Sequence, residues 1–109
     1  MYYNLRMVYI TTPDKTTAKT LGRKILTNHL AACVNIVDGM ESIYWWEGEI
    51  KEEAECILLV KTHYLKMKKL TKLVEKHHPY DCPCIISYTS TEDEGSKEYR
   101  NWLMYESQK

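Results

Sequence analysis

From Leu5 to Thr11 apolar and polar residues alternate weakly in a run rich in Tyr, Val and Ile, which predicts a strand, and Thr12-Pro13-Asp14 stops it. The period then lengthens. Ala18, Leu21, Gly22, Ile25, Leu26 and Leu30 recur at helical spacing with Lys19, Arg23, Lys24 and Asn28 facing outward, an amphipathic helix whose first amides Asp14, Thr16 or Thr17 can cap. Cys33 to Thr62 follows as two β-rich runs around Glu47-Gly48, the signature of an antiparallel hairpin with glycine supplying positive φ at the turn. Its strands are longer than the usual 5–6 or so residues, and Asp38-Gly39 is placed to form a bulge in the first.

His63 to His78 returns to helical spacing, with Leu65, Met67, Leu70, Leu73, Val74 and His77 on or near one stripe among lysines, and Pro79 ends it. Ile85 to Thr91 reads as a short fourth strand, and Ser96 to Glu106 as a third helix with Tyr99, Trp102, Leu103 and Tyr105. The order β, α, β, β, α, β plus a final helix predicts an α+β fold, a ferredoxin-like βαββαβ sandwich with a long hairpin. Both main helices then cover one sheet face and leave the other bare.

That bare face is apolar. Trp45 points to one side of the hairpin and Tyr44 and Trp46 to the other, while Cys56, Ile57, Leu58, Leu59 and Val60 leave neither side of the return strand polar. A chain of 109 residues has too few helices to cover both sides. Another copy of the chain is therefore expected on the second face, with Tyr44, Trp45, Trp46 and Trp102 at the contact.

Length and composition narrow the class. The chain reads as one domain over residues 1–109, without linker or repeat. It has no apolar run long enough to cross a bilayer and no signal segment after Met1, so a cytoplasmic protein with reduced cysteines and no membrane insertion is expected. Fifteen basic and fifteen acidic side chains cancel, which gives no argument for nucleic acid. Glu47, Glu49, Glu52, Glu53 and Glu55 concentrate on the hairpin, where a solvated strand edge is the simplest account.

The densest group of ligating side chains is His77-His78-Pro79-Tyr80-Asp81-Cys82-Pro83-Cys84. Imidazoles and thiols in that density suit zinc, copper or similar ions. The same residues serve equally as a helix end and the start of a buried strand, with Cys84 and His77 in the core. Cys33 and Cys56 read as small core residues. No phosphate loop, dinucleotide fingerprint, nucleophile elbow or His-Glu-x-x-His occurs, and neither an enzyme nor an organic cofactor is expected.

Thr12-Pro13-Asp14, Leu30-Ala31-Ala32-Cys33-Val34-Asn35, Ile43-Tyr44-Trp45-Trp46-Glu47-Gly48, Leu59-Val60-Lys61-Thr62 and His77-His78-Pro79-Tyr80, closed by Tyr99 and Trp102-Leu103, together resemble the CutA divalent-ion-tolerance proteins. The resemblance implies a homotrimer with hairpins pairing between subunits, an architecture similar to that of the PII signalling proteins. It also implies binding of copper or another divalent metal ion. Where bacterial members place copper on a first-strand cysteine and two histidines, the histidines carry over as His77 and His78, but the cysteine position is Ile10. Cys84 stands where the family usually has glutamate, and with Cys82 it offers soft ligation of its own. The expected metal residues are thus His77, His78, Cys82 and Cys84. The alternative is a PII-like signalling or scaffold module whose inter-subunit clefts bind a small ligand or protein, with metal binding incidental.

Overall fold

The computed structural model describes residues 1–109. Strand β1 (Leu5–Thr12) leads to helix α1 (Lys15–Thr27), the hairpin strands β2 (Cys33–Trp46) and β3 (Glu49–His63), helix α2 (Met67–His77), strand β4 (Ile85–Thr89) and helix α3 (Lys97–Glu106). The four strands form one antiparallel sheet in the order β2-β3-β1-β4, so the strands joined by helical crossovers are not neighbours. This is the split βαβ arrangement that the alternation of periods predicts.

Register divides the sheet into two faces. Val8 and Ile10 of β1, Cys56, Leu58 and Val60 of β3, and Ile85 of β4 lie under α1 and α2 and form the main core with Leu21, Ile25, Leu70 and Val74. Gly22 lets α1 approach the sheet, since a Cβ there would stand 3.1 Å from Val34 Cγ2. The opposite face carries Met7, Tyr9, Ile57, Leu59, Val37, Ile86 and Tyr88, of which Met7, Val37, Ile86 and Tyr88 are exposed. It is not wholly bare. Helix α3 covers one end, where Leu103 packs with Tyr2 and Leu5.

Helix boundaries follow local chemistry. Asp14 caps α1 by accepting from the Thr17 amide at 2.7 Å. Leu30 falls outside the helix: Leu30 N donates to Ile25 O and His29 N to Leu26 O, with His29 at φ 55°, a left-handed terminus that folds Leu30 back over the core. The second helix is shorter than its apolar spacing predicts, because Tyr64–Lys66 forms a 3-10 turn in which His63 Nδ1 accepts from the Leu65 amide and Leu65 stays exposed. β4 ends at Thr89 rather than Thr91.

The hairpin turns on Glu47 and Gly48, both at positive φ, 50° and 79°, the two-residue geometry whose twist suits antiparallel strands. The register shift between Val37 and Met40 marks the bulge at Asp38-Gly39, where Asp38 Oδ1 accepts from the Gly39 amide. One extra residue inverts which side chains face which way. Beyond the bulge Met40, Ser42, Tyr44 and Trp46 lie opposite Glu55, Glu53, Lys51 and Glu49, on the face that α1 and α2 leave uncovered.

Candidate functional site

The inverted register builds a cleft. Met40, Ser42, Tyr44 and Trp46 from β2, Lys51, Glu53 and Glu55 from β3, and Tyr9 and Thr11 from β1 face the turn Pro79–Cys84 and border an open cleft of about 940 Å³. That turn follows α2 because Pro79 cannot continue the helix. It is held back on the sheet by His78, whose Nε2 lies 2.8 Å from the Thr11 carbonyl and whose Nδ1 accepts from the Tyr80 amide at 3.1 Å. Since Nδ1 accepts, the ring proton sits on Nε2 and donates to Thr11.

Tyr80 reaches the floor, where its hydroxyl donates to Glu55 Oε2 at 3.0 Å. Burial, then the bonded Glu55 carboxylate, pushes the Tyr80 hydroxyl far above the usual phenol range. Tyr9 donates to Met40 Sδ at 3.3 Å and is raised by burial, with Cys84 and Glu55 adding to it. Tyr44 is raised chiefly by its hydrogen bond to Glu53. The Cys84 thiol is likewise pushed up, first by burial, against hydrogen bonding with Thr11. Glu41, Glu53, Glu55 and Asp81 face Lys51 as the only cationic lining residue, so the cleft is acidic although the chain as a whole is neutral.

The four expected metal residues do not share one place. Cys82, exposed, and Cys84, half-buried, line the cleft. His77 is exposed and belongs to a smaller groove of about 290 Å³ with Thr16, Thr17, Thr20 and Lys24. His78, not His77, is the buried member of the pair, and both of its ring nitrogens are already engaged. No three His, Cys, Asp or Glu side chains come together as an ion would require. Glu55 also departs from expectation, since it is 8% exposed rather than part of a solvated edge. Alternation along β3 puts Glu55 on the same face as Ile57 and Leu59, but nothing local to the hairpin marks it for burial.

Of the expected contact residues, three are open, Trp45 and Trp46 at the hairpin tip and Trp102 on α3. Trp45 is 72% exposed and pairs across the hairpin with Ile50, while Trp46 and Trp102 are partly exposed and Tyr44 is half-buried. Tyr99 stacks on Trp102, with ring centroids 5.7 Å apart, and its hydroxyl accepts from Lys61 Nζ at 3.0 Å.

Comparison with known proteins gives one consistent answer. The profile of the CutA1 divalent ion tolerance protein family matches residues 6–106. The chain is 43% identical over 97 residues to the divalent-cation tolerance protein CutA of Thermus thermophilus, covering 89% of this chain and 92% of the relative. It is 42% identical over 97 residues to the chloroplastic protein CutA 1 of Oryza sativa subsp. japonica, covering 89% of this chain but 54% of the plant protein. The chain thus spans about half the length of its plant relatives, 54% in rice and 52% in Arabidopsis thaliana. The crystal structure of CutA1 from Oryza sativa superposes with a TM-score of 0.87 at 40% identity, covering 94% of this chain and 93% of that one.

Proposed function

The chain belongs to the CutA1 divalent ion tolerance protein family, and on that premise we propose that it is a cytosolic, non-enzymatic homotrimer that takes up copper or another divalent cation through Cys82 and Cys84. The observation that carries this reading is the placement of both thiols on an acidic cleft. Carboxylates around two sulfurs attract a cation and neutralise its charge, and thiolates suit copper or zinc. With no third ligand closing over the ion, uptake is weak and readily reversed. His77 and His78 belong to the turn's framework in this reading, because His78 has no free ring nitrogen and His77 opens on a different groove.

The homotrimer is supported by the apolar face. Met7, Val37, Ile86 and Tyr88 on the sheet, and Trp45 and Ile50 at the hairpin tip, are exposed in the single chain. A cytosolic setting accords with four cysteines carried as free thiols. No helix is long and apolar enough to cross a membrane.

Metal titration of the reduced protein with Cu(I) and Zn(II), with mass measured in the same solution, tests the reading. Cys82→Ser/Cys84→Ser abolishes uptake and leaves the mass unchanged, whereas His77→Ala alters neither uptake nor mass. A trimer whose metal uptake ignores both cysteines sinks the thiol site. The size and aromatic lining of the cleft would then favour the second reading, a PII-like signalling or scaffold module with a small ligand in the cleft.

A further inference from the structure

The floor of the cleft holds a carboxylate oxygen that no protein group uses. Glu55 is 8% exposed, its Oε2 accepts from Tyr80, and its Oε1 accepts from no protein donor. Ser107 Oγ is the only side-chain polar atom sealed from solvent without a partner, so Glu55 Oε1 opens on the cleft and not into the core. A carboxylate held this way cannot be fully hydrated, and a charged donor entering the cleft gains a short, charge-assisted hydrogen bond there.

The walls specify what carries that donor. Tyr9, Tyr44, Trp46 and Tyr80 line the same space. Aromatic faces attract an ammonium group within about 6 Å of the ring centroid, whereas a hydrated divalent ion draws nothing comparable from them. Met40, Ile43 and Pro79 add apolar lining suited to methylene groups, and Glu41, Glu53 and Asp81 supply further negative charge beyond Glu55. Net negative lining also opposes phosphates and carboxylates as ligands. The volume, about 940 Å³, holds a chain of several carbons.

We propose that the cleft is a binding site for a protonated aliphatic amine of the linear polyamine type, with one ammonium on Glu55 Oε1 among the aromatic rings and the remaining charge toward Glu53, Glu41 or Asp81. This site is separate in chemistry from the thiol site. It needs Glu55 and the rings, and the thiol site needs Cys82 and Cys84.

The test is calorimetric titration of the assembled protein with spermidine in the presence of a metal chelator, with 1,8-octanediol as an uncharged chain of similar length. Spermidine binds saturably and the diol does not. Glu55→Gln keeps an acceptor for Tyr80 but removes the charge, and weakens spermidine about tenfold or more, as loss of a hydrogen bond to a charged group does. Trp46→Ala, at a partly exposed position that the core does not need, weakens it several-fold. Cys82→Ser/Cys84→Ser borders the same cleft but removes neither the Glu55 charge nor a ring, and it keeps saturable spermidine binding, so failure of the thiol site and failure of the amine site are read by different variants. Absence of saturable binding overturns the proposal, whether the cleft is filled by a second copy or simply unused. So does equal affinity in Glu55→Gln and wild type, which would reduce the effect to diffuse surface charge. Should Glu55→Gln fail to fold, unchanged affinity in Trp46→Ala overturns it alone.

Discussion

The hydroxyl of Tyr80 and the Oε2 of Glu55 stand 3.0 Å apart although 25 residues separate them in the chain. That bond ties the turn after α2 to the hairpin and is the sole protein hydrogen bond that the Glu55 carboxylate receives. Tyr80→Phe removes the donor and leaves a nine-tenths-buried carboxylate unpartnered. The expected loss of stability is about 1–3 kcal/mol, nearer the lower end because the cleft admits water. Glu55→Gln costs less, since its amide oxygen still accepts and no charge is desolvated. Urea unfolding with an unchanged m-value checks both, and a Tyr80→Phe midpoint equal to wild type would show that the bond contributes nothing.

His29 occupies a left-handed position, φ 55°, that side chains with a Cβ adopt at a cost. Its imidazole is exposed, so removing the side chain forfeits no packing. His29→Gly therefore raises stability by about 0.5–1 kcal/mol, the gain from relieved backbone strain less the added freedom of the unfolded chain. A lower melting temperature in that variant would contradict the account of the α1 terminus.

The two examples show what patterning reveals and what it conceals. Strand and helix order, the Glu47-Gly48 turn and the Asp38-Gly39 bulge were legible, because each depends on local period or on glycine's access to positive φ. The Tyr80–Glu55 pair was not. Glu55 sits in a run of glutamates that any reading of charge assigns to solvent, and only the turn folding back through His78 buries it. The adjacent His77 and His78 likewise look alike in sequence. One residue of difference at a helix end turns one ring to solvent and the other under the turn.

His63 is a second buried imidazole, with Nδ1 accepting from Leu65 N. Burial, then the positive charges of Arg6 and Lys66, lowers its folded pKa below the ordinary 6.5. A histidine depressed in the folded state takes up its proton more readily when unfolded. Its effect is absent well above pH 6.5 or so, and stability falls as pH drops through that value toward the folded pKa. His63→Asn keeps an acceptor for the Leu65 amide without titrating. Urea midpoints compared at neutral and mildly acidic pH should fall further for wild type than for His63→Asn, and parallel losses would assign the acid sensitivity elsewhere.

The hairpin tip gives the sharpest test of assembly. Ile43, Trp45 and Ile50 are 66%, 72% and 61% exposed, and Trp45 lies directly opposite Ile50 across the strands. An apolar cross-strand pair left in water at the end of a long hairpin is stabilised only when another surface covers it. Replacing the pair by opposite charges, Trp45→Glu with Ile50→Lys, preserves a favourable cross-strand contact and so retains the hairpin. It makes the outer surface costly to desolvate against a neighbour. Sedimentation equilibrium should then show a shift from the proposed trimer toward the 12.9 kDa single chain, with the strand signal in circular dichroism unchanged. A variant that keeps the wild-type mass would mean that the tip is not part of the interface, and that any assembly rests on the sheet face around Met7 and Tyr88 alone.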